Sequence, residues 1–446
     1  MSLPLGLSTR LSYRLRRAAR LPLLSPRQWL RRVGTWAGAV LVALLALGFA
    51  RAADFAQVLF ARMLDGRPLV ILALAPAGLA LSVWLTRRVF PGAQGSGIPQ
   101  TIAALHMTDQ ATIGRVLSLR IAGGKILLTL LGLLSGASIG REGPTVQVGA
   151  ATMHALGRAL RLPRDDLRRS LVLAGGAAGV AAAFNTPLAG VVFAIEELSH
   201  SFEARTSGTV LTAVILAGIT TLALAGNYTY FGMSPAQLDL GAGWLAVVLC
   251  ALAGGIAGGV FSAVLVQAAK GLPGHAGRLL GRYPVAFAAL CGLALAGLGL
   301  ASGGTTYGTG YAQARSMVEG AATMSPLFPV LKLLATIVSY LSGIPGGIFA
   351  PSLSIGAGIG QWLAGLIPSA PSGAVVLLGM VGYFSGVVQA PITATVIVME
   401  MTDNQQMTIP LLATSMLAFG ISRLICRRPL YGALAKRFLS AMAHGR

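Results

Sequence analysis

Charge is what this chain has least of. Asp, Glu, Lys and Arg together make up 11% of its 446 residues, against roughly 25% in ordinary soluble domains. Between Leu333 and Met399 there is none, a run of 67 residues, where one membrane-spanning helix needs roughly 20. Other uncharged windows cover Leu69–Thr86, Ser170–Ile195 and Gly208–Gly226. With 55% hydrophobic residues and a mean hydropathy of +0.74, a soluble globular fold is excluded. Backbone in lipid must satisfy its own hydrogen bonds, so the expected fold is an all-α polytopic membrane protein.

Cysteine and histidine are nearly as scarce. Cys250, Cys291 and Cys426 stand singly in apolar runs without a CxxC spacing, which excludes a disulfide framework and a zinc site. Of the five histidines, only His200 has a suggestive neighbour, Glu197, three residues before it. Carboxylate-bridged metal bundles need two such Glu-x-x-His motifs and further glutamates. No metal and no cofactor are therefore expected. There is no phosphate-binding G-x-x-x-x-G-K-[ST] loop, so nucleotide-driven pumping has no support. No recognisable Ser–His or paired-Asp constellation argues for an enzyme.

What charge there is leans one way. Thirty-four Lys and Arg stand against thirteen Asp and Glu, a net +21. Eight arginines and no acid lie between Arg10 and Arg32. They break up the hydrophobic part that a cleaved signal would need, and suit a basic interfacial helix over residues 1–32. Arg423, Arg427, Arg428, Lys436 and Arg437 make the other end basic, so the positive-inside rule puts both termini in the cytoplasm. The basic residues flank apolar segments rather than forming an aromatic-interleaved patch, which argues against nucleic acid as a partner.

Glycine is the one residue in excess: 58 residues, about twice the usual 7% share. Such glycine either lets membrane helices pack closely or lets them break beside a cavity. An internal repeat bears on the choice. "GREGPTVQVGA" (140–150) aligns with "GIFAPSLSIGA" (347–357), and the segment 177–197 aligns with 381–401, with Pro187 on Pro391 and Glu196 on Glu400. The offsets are 207 and 204, so the membrane domain reads as two related halves, 33–226 and 241–432, joined by a linker at 227–240 and followed by a tail at 433–446. Proline belongs in a first helical turn, so each Gly-x-x-x-Pro marks a helix that starts inside the membrane. A helix N-terminus carries about half a positive charge and unpaired N–H groups, and several converging ends make an anion site. Matching interrupted helices in two halves point to a transporter's central site. A third such start is "GAQGSGIPQ" (92–100), where Ser96 adds a hydroxyl.

Taken together, "GSGIP" (95–99), "GREGP" (140–144), "GIFAP" (347–351) and the tyrosine of "RRPLYGAL" at Tyr431 resemble the CLC chloride channel and transporter family. The resemblance runs from about residue 33 to Tyr431. It implies two inverted repeats of broken and tilted helices, and a homodimer with one pore per subunit. It also implies a central chloride held by the hydroxyls of Ser96 and Tyr431 and the amides of Ile348 and Phe349. Amides around Arg141, Glu142 and Gly143 would line an outer site, and those of Gly95 and Ser96 an inner one. Glu142 would be the gating glutamate. A carboxylate is itself an anion, so it competes with chloride for the same N–H groups, and an anion beside it favours its protonated form. Arg141 does not pair with Glu142, because adjacent helical residues do not face each other.

Family members are either passive channels or chloride/proton exchangers. The resemblance to exchangers rests on Glu197, at the position of their internal proton glutamate. The expected activity is secondary-active exchange of chloride for protons; a passive voltage- or proton-gated chloride channel is the alternative and a fluoride exporter the minor one. By the same resemblance, serine at 96 with Tyr431 intact implies chloride as the preferred anion, with bromide and nitrate passing too. Glu196 and Glu400 are expected to be ordinary helix ends at the water interface, and Arg115 and Arg120 interfacial. Lys125 and Lys332 would either shape the field along the anion path or pair with carboxylates or carbonyls. Only fifteen residues follow Tyr431, which leaves no room for the nucleotide-sensing domains of many eukaryotic relatives and fits a bacterial inner-membrane protein.

Overall fold

The computed structural model describes residues 26–161, 165–199, 204–271, 274, 277 and 281–443. Residues 1–25 of the basic N-terminal segment, and His200, lie outside them. The first half comprises α1 (Pro26–Leu64), α2 (Ile71–Arg88), α3 (Ile98–His106), α4 (Gln110–Val116), α5 (Leu119–Leu134), α6 (Glu142–Ala159), α7 (Asp165–Phe184), α8 (Pro187–Phe193) with a π-helical turn (Ala194–Ser199), and α9 (Ala204–Ala225). The second comprises α10 (Leu245–Ala269), α11 (Pro284–Ala301), α12 (Tyr311–Val318), α13 (Phe328–Leu341), α14 (Phe349–Ala364), α15 (Ser372–Val388), α16 (Pro391–Met401) and α17 (Thr408–Ile425). A final helix, α18 (Leu430–Ala443), takes in Tyr431 and most of the segment read as a tail. Helix α1 begins at Pro26, seven residues ahead of the boundary expected at 33.

Seven described stretches, among them Arg32–Leu64, Ala242–Ala269 and Thr408–Ile425, are long and apolar enough to cross a bilayer. Others are not: α13 has 14 residues and α16 has 11, against the roughly 20 a straight span requires. Helices α3 and α14, which open at the "GSGIP" and "GIFAP" motifs, are likewise short, at 9 and 16 residues. On α9, Leu211, Ile215, Ile219 and Leu222 are exposed at helical spacing, an apolar face turned outward, as lipid demands. The protein is a multi-pass membrane protein.

The two halves meet through contacts that are duplicated residue by residue. Gly140 N–H donates to the Gly347 carbonyl at 2.7 Å, and Gly347 N–H returns the bond to Gly140 at 2.7 Å. Equivalent residues exchanging equivalent bonds in an antiparallel pair lie on a two-fold axis, which is the relation of inverted repeats. Helix packing repeats as well. A β-carbon on Gly149 would collide with the Gly175 carbonyl, and one on Gly175 with that of Gly149; Gly356 and Gly379 do the same in the second half. Part of the glycine excess is therefore close helix packing, and part is helix starts.

Glu196 and Glu400 correct the expectation of ordinary helix ends. Glu196 accepts from the backbone N–H groups of Ile392 and Thr393 at 3.2 and 2.6 Å. Glu400 accepts from those of Leu188 and Ala189 at 3.1 and 2.7 Å. Each carboxylate caps the helix start of the opposite half, where orphan donors and the helix dipole favour an anion. Sequence reading placed them at their own helix ends, and could not see which foreign N-terminus each would meet.

Candidate functional site

The starts of α3, α6, α14 and α18 converge on one another in the buried interior. Gly97 caps α3 at φ +97°, a conformation glycine adopts without strain. A β-carbon at Gly143, in the first turn of α6, would sit 2.9 Å from both the carbonyl and the hydroxyl oxygen of Ser96. Ser96 Oγ accepts from the Ile98 N–H at 3.3 Å. The buried Tyr431 hydroxyl faces Ser96, and among the described residues no group meets it in full hydrogen-bonding geometry. Its ring lies 5.9 Å from that of Phe349. Ile348 caps α14 and Phe349 opens it, so their N–H groups are among the orphans of a helix start. Ser96, Tyr431, Ile348 and Phe349 are thus brought together. Gly95 departs from expectation: its N–H donates to the Ile344 carbonyl at 3.3 Å, because residues 95 and 345 form a short parallel bridge. That amide is spent on the scaffold rather than free for an anion.

Glu142 is completely buried. Its carboxylate folds back over Gly140, so that a β-carbon there would strike Oε2 and stand 3.4 Å from the Ala350 nitrogen. The backbone N–H groups of Glu142 and Ala350 point towards the carboxylate, while Oε2 lacks a partner in hydrogen-bonding geometry. Oε1 accepts from the Tyr230 hydroxyl at 3.3 Å. The carboxylate therefore sits between helix starts from both halves. Arg141 turns away: Nη1 donates to the Ala50 carbonyl and to Asp54 Oδ1, each at 2.6 Å, and the guanidinium lies 5.6 Å from the Tyr230 ring centre.

Glu197 lies on the π-helical turn after α8, a distortion that recurs at functional sites. It is buried, and among the described residues its Oε1 has no hydrogen-bond partner. Among the described residues, Glu196 and Tyr431 are its charged or titratable neighbours. Aromatic rings link the two glutamates' surroundings: Tyr230 to Phe184 at 5.8 Å, Phe184 to Phe349 at 6.1 Å, then Phe349 to Tyr431. Lys125 Nζ donates to the carbonyls of Gln94 and Gly95 at 3.1 and 2.9 Å, and Lys332 Nζ to those of Thr306 and Gly308 at 2.9 and 2.7 Å. Both lysines take the carbonyl option that the sequence left open.

The sequence profile described as "Voltage gated chloride channel" matches residues 77–423, more than three quarters of the chain. The chain belongs to the voltage-gated chloride channel family. It is 33% identical over 373 residues to the H(+)/Cl(-) exchange transporter ClcA of Vibrio parahaemolyticus, covering 80% of this chain and 78% of that protein. Among solved structures it resembles a slow cyanobacterial Cl-/H+ antiporter, with a TM-score of 0.78, 26% identity, and 94% of this chain and 100% of that one covered. It also resembles a CLC-type fluoride/proton antiporter, with a TM-score of 0.75, 25% identity, and 88% and 95% covered. Within this family member the matched region holds Ser96, Glu142, Glu197, Ile348 and Phe349; Tyr431 falls beyond it.

Three residues around Glu142 escaped the sequence reading: Asp54, Tyr230 and Ala350. Tyr230 lies in the segment taken for a linker, yet it is buried. The available signal was "YTYF" at 228–231, three aromatics in four residues of a chain with 7% aromatics. Chemically the arrangement offers a dehydrated set of N–H and O–H donors for an anion, with a carboxylate already seated among them.

Proposed function

We propose that this protein is a secondary-active transporter that exchanges chloride for protons, with no cofactor and no covalent step. The observation that carries the reading is the seat of Glu142: a buried carboxylate held at helix starts from both halves. An anion arriving there must displace the carboxylate, and protonation neutralises the carboxylate and lets it go. Chloride and proton thus compete for one place, which couples them. Ser96 and Tyr431 bind chloride through their hydroxyls, and Ile348 and Phe349 through their amides, with the amides of Arg141 and Gly143 behind Glu142. Glu197 passes protons on the inner side, next to Tyr431. The protein acts as a homodimer in a bacterial inner membrane, with both termini in the cytoplasm.

The test uses purified protein in liposomes with an outward chloride gradient and a pH electrode outside. Wild type drives protons inward as chloride leaves, and Glu197→Gln keeps chloride flux within about threefold while proton movement falls to background, because an amide cannot relay a proton. Chloride flux without proton movement in wild type would make the protein a passive channel. Release of fluoride from loaded vesicles much faster than chloride would favour the fluoride-exporting branch.

A further inference from the structure

We propose that Tyr230 is a positioning residue that latches Glu142 in its seat and so sets how readily anions pass at neutral pH. The inference rests on the gating reading of Glu142. Tyr230 belongs to the connection between the halves, and that connection is anchored. Phe231 N–H donates to the Met401 carbonyl at 3.0 Å, and Asn185 Nδ2 donates to the Tyr228 carbonyl at 3.0 Å. The Tyr230 ring is wedged edge-to-face against Phe184, Phe231 and Tyr311 at 5.8, 5.2 and 4.6 Å. Arg141 lies over its face, and the buried Arg141 is itself fixed by Asp54 and the Ala50 carbonyl. The ring is therefore immobilised on every side, and its hydroxyl reaches one carboxylate oxygen of Glu142.

A hydrogen bond to a charged acceptor in a buried site is stronger than one between neutral groups. This one exists only while Glu142 occupies the seat, so it favours the seated carboxylate over the displaced one. A protonated Glu142 gains much less from the phenol, so the latch weakens as the gate is protonated. The charged or titratable groups facing Tyr230 are Arg141, Glu142, Asp54 and Tyr311. Those facing Glu142 are Arg141, Tyr230 and Tyr431. Of the described groups facing Glu142, Tyr230 is the one whose side chain is hydrogen-bonded to the gating carboxylate.

Tyr230→Phe keeps the ring, its aromatic contacts and the face under Arg141, and removes only the hydroxyl. In liposomes its chloride flux at pH 7.5 should exceed wild type about 5-fold, with fewer protons moved per chloride. The gain should shrink below about twofold at pH 4.5, where Glu142 is more often protonated. In a Glu142→Ala background the same change should leave chloride flux unaltered within about twofold, since no carboxylate remains to latch. If the phenylalanine protein elutes aggregated, Tyr230→Met, of similar length and without a hydroxyl, takes its place. Wild-type flux in Tyr230→Phe at pH 7.5 overturns the latch. So does an equal gain in the Glu142→Ala background, which would mean that the hydroxyl simply narrows the pore. If Glu142→Ala alone leaves flux and its pH dependence as in wild type, the gating reading itself falls and the latch with it.

Discussion

Lys125 and Lys332 stand at equivalent places in the two halves, 207 residues apart, and Glu196 and Glu400 do likewise at 204. Glu142, by contrast, has Phe349 for its counterpart, Arg141 has Ile348, and Glu197 has Met401. The duplicated charges all bond to backbone: the lysines to loop carbonyls before α3 and α12, the glutamates to N–H groups of α16 and α8. Those are debts that any inverted pair of broken helices incurs twice, since each break exposes orphan carbonyls and amides in a medium without water. The single glutamates, Glu142 and Glu197, have no twin because the repeated scaffold does not require them; Arg141, also single, holds the Ala50 carbonyl and Asp54. In this molecule, a charge that repeats is structural, and a charge that stands alone at a repeated place is a candidate for chemistry.

The largest effect should come from the least symmetric place. Glu142→Ala should abolish proton movement and leave chloride flux insensitive to pH, whereas Phe349→Leu, at the matching position, should keep coupling and lose only packing. Both are read in the same liposome assay. If the phenylalanine variant uncouples as fully as the glutamate one, the division between scaffold and chemistry fails.

The lysines come next. Lys125→Met and Lys332→Met each leave two carbonyls without their ammonium donor, which should cost about 1–3 kcal/mol of stability apiece, measured as the midpoint of thermal unfolding in detergent. The losses should match between halves. Lys125 bonds to the Gly95 carbonyl, one residue from Ser96, so its loss should also weaken chloride binding by calorimetry, where that of Lys332 should not. Smallest of all, Glu196→Gln and Glu400→Gln should each cost about 1 kcal/mol as a weakened cap, equally in the two halves and with coupling intact.

The place of Tyr230 explains why part of the site was invisible in the sequence. Motif reading finds residues that define helix starts, and Ser96, Glu142, Ile348 and Phe349 all sit at such starts. Tyr230 reaches the site from the connection between the halves, through the anchoring of Phe231 to the end of α16. No local pattern encodes that approach. Gly95 failed in the opposite way. Its motif was recognised, but a pairing with Pro345, 250 residues away, had already claimed its amide.

The sequence by itself determined the class, the halves and the helix starts. Charge depletion, the Gly/Pro interruptions and the repeat are local or periodic signals, and bilayer physics reads them directly as length and backbone hydrogen bonding. Only the tertiary structure decided which donors face which acceptors across the two-fold axis. It set the carboxylate of Glu142 against the Ala350 amide, and Glu196 and Glu400 on each other's helices. Those pairings join residues some 200 positions apart, and they follow from how the halves pack, which no stretch of sequence contains.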